Sequence, residues 1–268
     1  SSHRGVARIV AHGLTVGYPP DAPVLDGLSL AIHEGEFTAL MGENGSGKST
    51  LIRHLMGLSR PLAGQVMLGG TPIESLPAAQ RATRCALLTQ NPRDYFVKDT
   101  VEEELRYSLT LRGMGGVELE AEQARITQEL HLQGLLDRHP RDLSGGERTR
   151  AALGLVAAGH PDVLVLDEPT RGLDPETKLL LGTVLKDWVG TGTAVLLVTH
   201  DVEFAARFAD RVVILGDGGI VADGPAGEVL DGSLFFSTQI NRLLRRSLPG
   251  VLVVEDVALG GEEATCAA

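Results

Sequence analysis

The apolar positions of this chain fall into two patterns: short unbroken runs, and longer stretches in which apolar residues return every three or four positions. Phe37-Thr38-Ala39-Leu40-Met41, Ala86-Leu87-Leu88-Thr89, Val163-Leu164-Val165-Leu166 and Ala194-Val195-Leu196-Leu197-Val198 are of the first kind. The first two read as a buried strand and an apolar strand; the last two, almost wholly apolar, predict parallel strands buried on both faces. Leu28-Ser29-Leu30-Ala31-Ile32 alternates like a half-buried strand, and Gln65-Val66-Met67-Leu68 reads as another short one. Val6–Tyr18 reads as an extended edge segment. Helical spacing appears in Leu51, Ile52, Leu55, Met56 and Leu58. It returns in Val101, Leu105, Leu109 and Leu111, then in Leu119, Ile126, Leu130 and Leu132, with a break at Gly113-Met114-Gly115-Gly116. A helix-like segment, Glu176–Trp188, separates the last two apolar runs and predicts a βαβ unit. Arg211–Leu215 and Gly219–Ala222 flank Gly216-Asp217-Gly218, a hairpin signal. The pattern predicts an α/β core with a helical insertion at about residues 91–159.

One loop gives this core a chemistry. Between the strand at Phe37–Met41 and the helical spacing from Leu51 lies Gly42-Glu43-Asn44-Gly45-Ser46-Gly47-Lys48-Ser49-Thr50, a complete phosphate-binding loop in the required strand–loop–helix setting. Its glycines let successive N–H groups point inward at phosphate oxygens, and the new helix aims its positive end at the same place. Lys48 is placed to neutralise the β and γ phosphates and the Ser49 hydroxyl to take a site on Mg²⁺. Asn44, Gly45, Ser46, Gly47 and Thr50 complete the cradle. The chain is expected to bind a nucleoside triphosphate.

Two further segments extend this reading. Asp167 and Glu168 close the run Val163–Leu166, at the C-terminal end of a buried strand and beside the expected phosphates. Asp167 is expected to bind Mg²⁺ through water and Glu168 to act as general base on the water attacking the γ-phosphate. Leu143-Ser144-Gly145-Gly146-Glu147 opens a helix, with Ser144 and Glu147 spaced as in a capping box. The paired glycines exceed what a cap needs and would admit a second phosphate to a helix N-terminus.

Composition narrows the partners. The 268 residues can hold one large domain or two smaller ones, and 43% apolar with 22% charged is ordinary for a globular protein. No run approaches the roughly 18 apolar residues of a membrane span, and no basic-then-apolar secretory signal opens the chain. The net charge of −11 argues against a broad grip on nucleic acid or anionic lipid, although Arg242, Arg245 and Arg246 offer a local basic patch. Two cysteines, Cys85 and Cys266, at unrelated spacing point away from a disulfide framework or zinc site and toward a reducing cytosol. The chain begins at Ser1, as a trimmed form, a processed product or an excised domain would.

With these residues in order, residues 6–231 resemble the nucleotide-binding subunit of an ATP-binding cassette (ABC) protein. Leu143–Glu147 matches the family's signature motif. The resemblance implies a P-loop NTPase core with a mostly parallel sheet, an N-terminal antiparallel β subdomain and an inserted α-helical subdomain. It implies an ATPase domain over residues 1–232, followed by an extension over 233–268 with an acidic, frayed tail. Tyr18 stands where an aromatic stacks on adenine, Gln90 where a glutamine joins the core to the helical subdomain and reaches Mg²⁺. Gly172-Leu173-Asp174 matches the loop after the catalytic carboxylate, and His200 in Val198-Thr199-His200-Asp201 matches the switch histidine holding the γ-phosphate. Glu147 stands where many members carry glutamine, a departure that bears on subtype.

In the family two cassettes face head to tail, with each ATP between one phosphate loop and the partner's signature helix. Ser144, Gly145 and Gly146 would then serve the opposite nucleotide, and Asp174 would link the two sites. Asp99-Thr100-Val101-Glu102-Glu103-Glu104-Leu105 after Gln90-Asn91-Pro92 is similar to energy-coupling-factor (ECF) importers of vitamins and metal ions. So are Asp167–Asp174 and the end segments Phe235–Ile240 and Leu252–Val257, which resemble one half of a fused tandem ATPase. The implied partners are a second ABC ATPase subunit or domain and an integral membrane subunit, with no nucleic acid and no direct membrane contact. The implied location is the cytoplasmic face of the membrane. Leu143–Leu153 also resembles the signature of soluble translation-factor ABC proteins, the rival reading. An acidic surface suggests that the docking segments of a membrane partner are basic.

Overall fold

The computed structural model describes residues 5–17, 23–232 and 252–253. Along the chain its strands are β1 (Ala7–Val16), β2 (Leu25–His33), β3 (Phe37–Gly42), β4 (Ala63–Leu68), β5 (Thr71–Pro72), β6 (Cys85–Leu88), β7 (Val163–Asp167), β8 (Ala194–Val198), β9 (Arg211–Gly216) and β10 (Gly219–Pro225). Its α-helices are α1 (Lys48–Leu55), α2 (Ala78–Arg84), α3 (Val101–Leu111), α4 (Gly116–Glu129), α5 (Gly145–Ala157), α6 (Pro175–Gly190), α7 (Val202–Phe208) and α8 (Ala226–Gly232).

The apolar runs become neighbours in a six-stranded sheet of order β10-β9-β3-β8-β7-β6. All its pairings are parallel except β10 with β9, the expected hairpin. Asp217 (φ 49°) and Gly218 (φ 77°) make its turn, a left-handed pair whose twist matches that of the flanking strands. Along each parallel strand alternate residues enter different cores. Phe37, Leu164, Leu166, Val195 and Leu197 meet α3, α5 and α6, while Leu40, Val163, Val165, Leu196 and Val198 meet α1 and the second sheet. Each such side chain contributes roughly 1.5–3 kcal/mol by leaving water. Both faces are covered, which is why these strands carry so few polar residues.

The second sheet is antiparallel, in the order β2-β1-β4-β5. Here the expectation of an edge at Val6–Tyr18 is corrected: β1 pairs with β2 on one side and with β4 on the other. Its polar, exposed positions face solvent from one side of an interior strand, so polarity alone mimicked an edge. A second correction concerns Leu58. Helix α1 ends at Leu55, Gly57 turns left-handed (φ 65°), and the Leu58 N–H closes on Arg53 O at 2.8 Å in a Schellman arrangement. Leu58 is thereby swung out to 61% exposure.

Helices α3, α4 and α5 pack against one another and onto the face that also receives α6. Gly154 permits the closest approach, since a Cβ there would stand 2.8 Å from Ile126 Cγ2. Trp188 of α6 donates its indole N–H to Glu129 Oε2 of α4 (2.8 Å), tying this helical group to the core. The two sheets are joined at Arg211, only 4% exposed, which donates to Ala31 O (2.7 Å) and to both oxygens of Asp223. Among the described residues no helix is long and apolar enough to cross a membrane.

Candidate nucleotide site

The phosphate loop leaves the end of β3 through backbone that excludes side chains. Gly42 has φ 150°, and a Cβ there would lie 2.4 Å from Leu215 O. Gly47 (φ 96°) caps α1, whose first turn holds no acidic residue, so the positive end of the helix stays available to an anion. Lys48, buried at the start of α1, donates from Nζ to Gly42 O and Glu43 O, both at 2.8 Å. It spans the loop from inside.

The carboxylates come from the strand next but one. Asp167 ends β7, and Glu168 follows with φ 53°, an uncommon conformation for a residue with a side chain. The Glu168 N–H donates to Val198 O (2.9 Å), which fixes that turn against the end of β8. Two residues beyond β8, the His200 N–H donates to Glu168 Oε2 at 3.4 Å, and His200 Nε2 lies 3.4 Å from Oε1. That second approach is not a hydrogen bond, and Glu168 Oε1 is buried without one. Gln90 Nε2 lies 3.5 Å from Asp167 Oδ1.

Burial pushes both carboxyl groups above their ordinary pKa. For Asp167 it is opposed by Gln90 and Lys48, and for Glu168 by His200 and Lys48 while Asp167 adds to it. Burial lowers Lys48, and the two carboxylates resist. The lysine and the acid pair therefore stabilise one another's charges at the point where phosphate would arrive.

Two adjoining cavities result. One, of about 290 Å³, is lined by Val24, Asn44, Gly45, Gly47, Lys48, Ser49, Thr50, Gln90, Asp167, Glu168 and His200. The other, of about 490 Å³, shares Asn44, Gln90, Glu168 and His200 and adds Thr170, Arg171, Gly172, Lys178 and Asp201. The sequence reading missed Val24, Arg171 and Lys178. Arg171 lies three residues after Glu168 and could have been noticed; Lys178 faces the cavity from near the start of α6, and it pairs with Asp201 at 2.5 Å. Ser46 belongs to the loop, where its hydroxyl is buried without a hydrogen bond. Tyr18 lies outside the described residues.

The remaining expected residues line neither cavity. Ser144 caps α5 in a reciprocal box: its Oγ accepts from the Glu147 N–H (3.3 Å), and Glu147 Oε2 accepts from the Ser144 N–H (2.7 Å). Glu147 also pairs with Arg138 at 3.0 Å, and the Ser144 N–H leads the contacts that hold its carboxyl below the ordinary range. The carboxylate at this position thus has local partners. Asp174 caps α6, accepting from the Thr177 N–H at 2.9 Å.

A separate cavity of about 520 Å³ lies between the segment that follows Gln90 and the one that precedes Ser144. Phe96, Val97, His139 and Pro140 line it, with Arg93, Lys98, Arg141 and Arg148 against the single carboxylate of Asp99. The chain is acidic, but this groove is locally basic.

Comparison with known proteins agrees with this architecture. The family described as "ABC transporter" matches residues 25–171. An ABC transporter ATP-binding protein of Clostridium tetani is 38% identical over 232 residues, which cover 87% of this chain and 52% of that protein. The energy-coupling factor transporter ATP-binding protein EcfA of Methanothermobacter thermautotrophicus is 35% identical over 221 residues, 81% of this chain and 70% of that one. Among solved structures, the ATP-binding cassette MJ0796, dimeric in a post-hydrolysis state with ADP and Pi, matches with a TM-score of 0.73 at 26% identity. That match covers 81% of this chain and 98% of the other. Fold and site together define an ABC ATPase cassette. The chain belongs to the ABC transporter family, and it spans about half the length of the first curated relatives it matches.

Proposed function

We propose that this chain is an ATP-hydrolysing motor cassette of an ABC importer, closing on a second cassette when ATP is bound. The cassette occupies residues 1–232, with 91–159 as its inserted helical subdomain and 233–268 as an extension. The observation that carries the reading is the division of the machinery. Lys48, Gln90, Asp167, Glu168 and His200 converge on two adjoining cavities, while Ser144, Gly145, Gly146 and Asp174 stand outside them at the starts of two helices. A site so divided is completed by another copy of the same parts.

On this reading the loop N–H groups and Lys48 grip the phosphates, Tyr18 stacks on the adenine, and Glu168 takes the proton of the attacking water while His200 contacts the γ-phosphate. Ser49, Asp167 and Gln90 are oxygen donors on one cavity wall, a set that suits Mg²⁺. Bound there, Mg²⁺ would neutralise charge on the phosphate oxygens. The γ-phosphate gains contacts to the opposite Ser144–Gly146 only in the closed pair, so ATP favours closure and hydrolysis releases it. Asp174 links the two sites.

The likeness to EcfA supports transport of the energy-coupling-factor type, and on this reading the chain drives import of a vitamin or transition-metal ion. An integral membrane subunit would dock in the groove beside Gln90, holding the chain at the cytoplasmic face of the membrane. Affinity purification from native cells in mild detergent, followed by mass spectrometry, tests this. A membrane protein in stoichiometric amount with a small substrate-binding membrane subunit is expected; ribosomal proteins without a membrane partner would overturn the transport reading.

A further inference from the structure

The two segments left outside the cavities touch through one side chain. Thr177, in the first turn of α6, donates its hydroxyl to Asp174 Oδ2 at 2.7 Å and its backbone N–H to Oδ1 at 2.9 Å. The same side chain lies over the start of α5. A Cβ placed on Gly146 would stand 3.2 Å from Thr177 Cγ2 and 3.3 Å from its Oγ1. An N-cap carboxylate needs only the backbone bond to do its capping. The additional hydroxyl bond pins the Thr177 rotamer, and with it the methyl that faces Gly146.

We propose that Thr177 is a positioning residue that ties the turn at Gly146 to the carboxylate of Asp174, so that both segments approach the opposite cassette as one rigid element. The inference rests on the head-to-tail reading above and deepens it. Glycine at position 146 then has a second reason beyond room for a phosphate. A methyl group there presses on Thr177, and a shift of that side chain disturbs the hydroxyl bond to Asp174.

Two substitutions separate the parts of Thr177. Thr177→Val keeps the methyl and the shape but deletes the hydroxyl; Thr177→Ser keeps the hydroxyl and removes the methyl that faces Gly146. In the full chain, Thr177→Val should lower turnover about tenfold, the scale of one hydrogen bond to a charged group. On a Glu168→Gln background it should weaken ATP-driven association by a similar factor. Affinity for ATP in dilute, unassociated chain should not change, which a general structural defect would not spare. Thr177→Ser should behave like the wild type in both assays. Gly146→Ala should lose turnover, and adding Thr177→Ser should restore most of it. Thermal unfolding midpoints of Gly146→Ala, Thr177→Ser and the double variant form a cycle independent of nucleotide and should be non-additive. Wild-type turnover and association in Thr177→Val, or additivity in the unfolding cycle, would overturn the link. If the wild-type chain neither turns over nor associates, the head-to-tail reading fails, while the unfolding cycle still decides for or against the Gly146–Thr177–Asp174 link.

Discussion

On the proposed reading the nucleotide machinery has two halves, and they are held by different means. The half around Lys48, Asp167 and Glu168 sits at the ends of β3 and β7, whose register is fixed by parallel partners on both sides. Its ionisable groups are partly desolvated and balance one another's charge. The half around Ser144 and Asp174 sits at exposed helix starts, held by capping hydrogen bonds and a side-chain contact. A sheet can pre-organise chemistry inside one chain. A capped helix start presents N–H groups outward and does its work only against something that arrives.

The largest predicted effect breaks the first half alone. Glu168→Gln should cut turnover about 10³-fold, within the range of a lost general base, while ATP still binds and holds two cassettes together. Near-normal hydrolysis by this variant would reject Glu168 as the base. Lys48→Ala should lower ATP affinity by about tenfold to a hundredfold, measured by equilibrium binding, because a partly buried cation that would face the phosphates is lost. Both substitutions leave the Ser144 helix untouched.

The pH response should sharpen the contrast. Burial holds the Glu168 carboxyl above its ordinary range, so the folded chain binds this proton more tightly than the unfolded one. Between the ordinary carboxylate value of about 4.3 and the raised one, the contribution of this group to stability falls as pH rises. Turnover should move the opposite way, rising with pH as the base ionises. The melting temperature of the wild type relative to that of Glu168→Gln should therefore fall across the pH range over which kcat/KM rises, the carboxyls held below their ordinary range, such as Glu147, cancelling in that difference. Parallel slopes would contradict the assignment. The smallest effect belongs to the second half: Ser144→Ala should cost about 1 kcal/mol of stability through the lost cap. In dilute chain ATP should raise the unfolding midpoint of this variant and of the wild type by the same amount, because the phosphate-loop half is intact.

Legibility in the sequence follows the same division. The phosphate loop and the acid pair are local signals, contiguous residues in a strand–loop–helix or strand-end setting, and the positions of Lys48, Asp167 and Glu168 could be read directly. The parallel strands were readable because burial on both faces leaves unbroken apolar runs. What required three dimensions was pairing. The interior place of β1 depends on β4, far along the chain, and Leu58 was lost from its helix by the backbone turn at Gly57. Helix α2 buries none of its residues, so it left no periodicity to find. Lys178 and Thr177 belong to no motif; their roles arise from where α6 begins relative to β8 and α5.

The central claim is that each chain carries complementary halves of a shared site, and mixing two defective chains tests it most directly. Lys48→Ala loses the phosphate-loop half and Ser144→Arg the signature half, so each alone should be silent in ATP turnover. Mixed, they form hybrid pairs in which one composite site is intact, and turnover should reappear and grow with chain concentration. Wild-type turnover by Ser144→Arg alone, or silence of the mixture beside an active wild-type chain, would contradict the account.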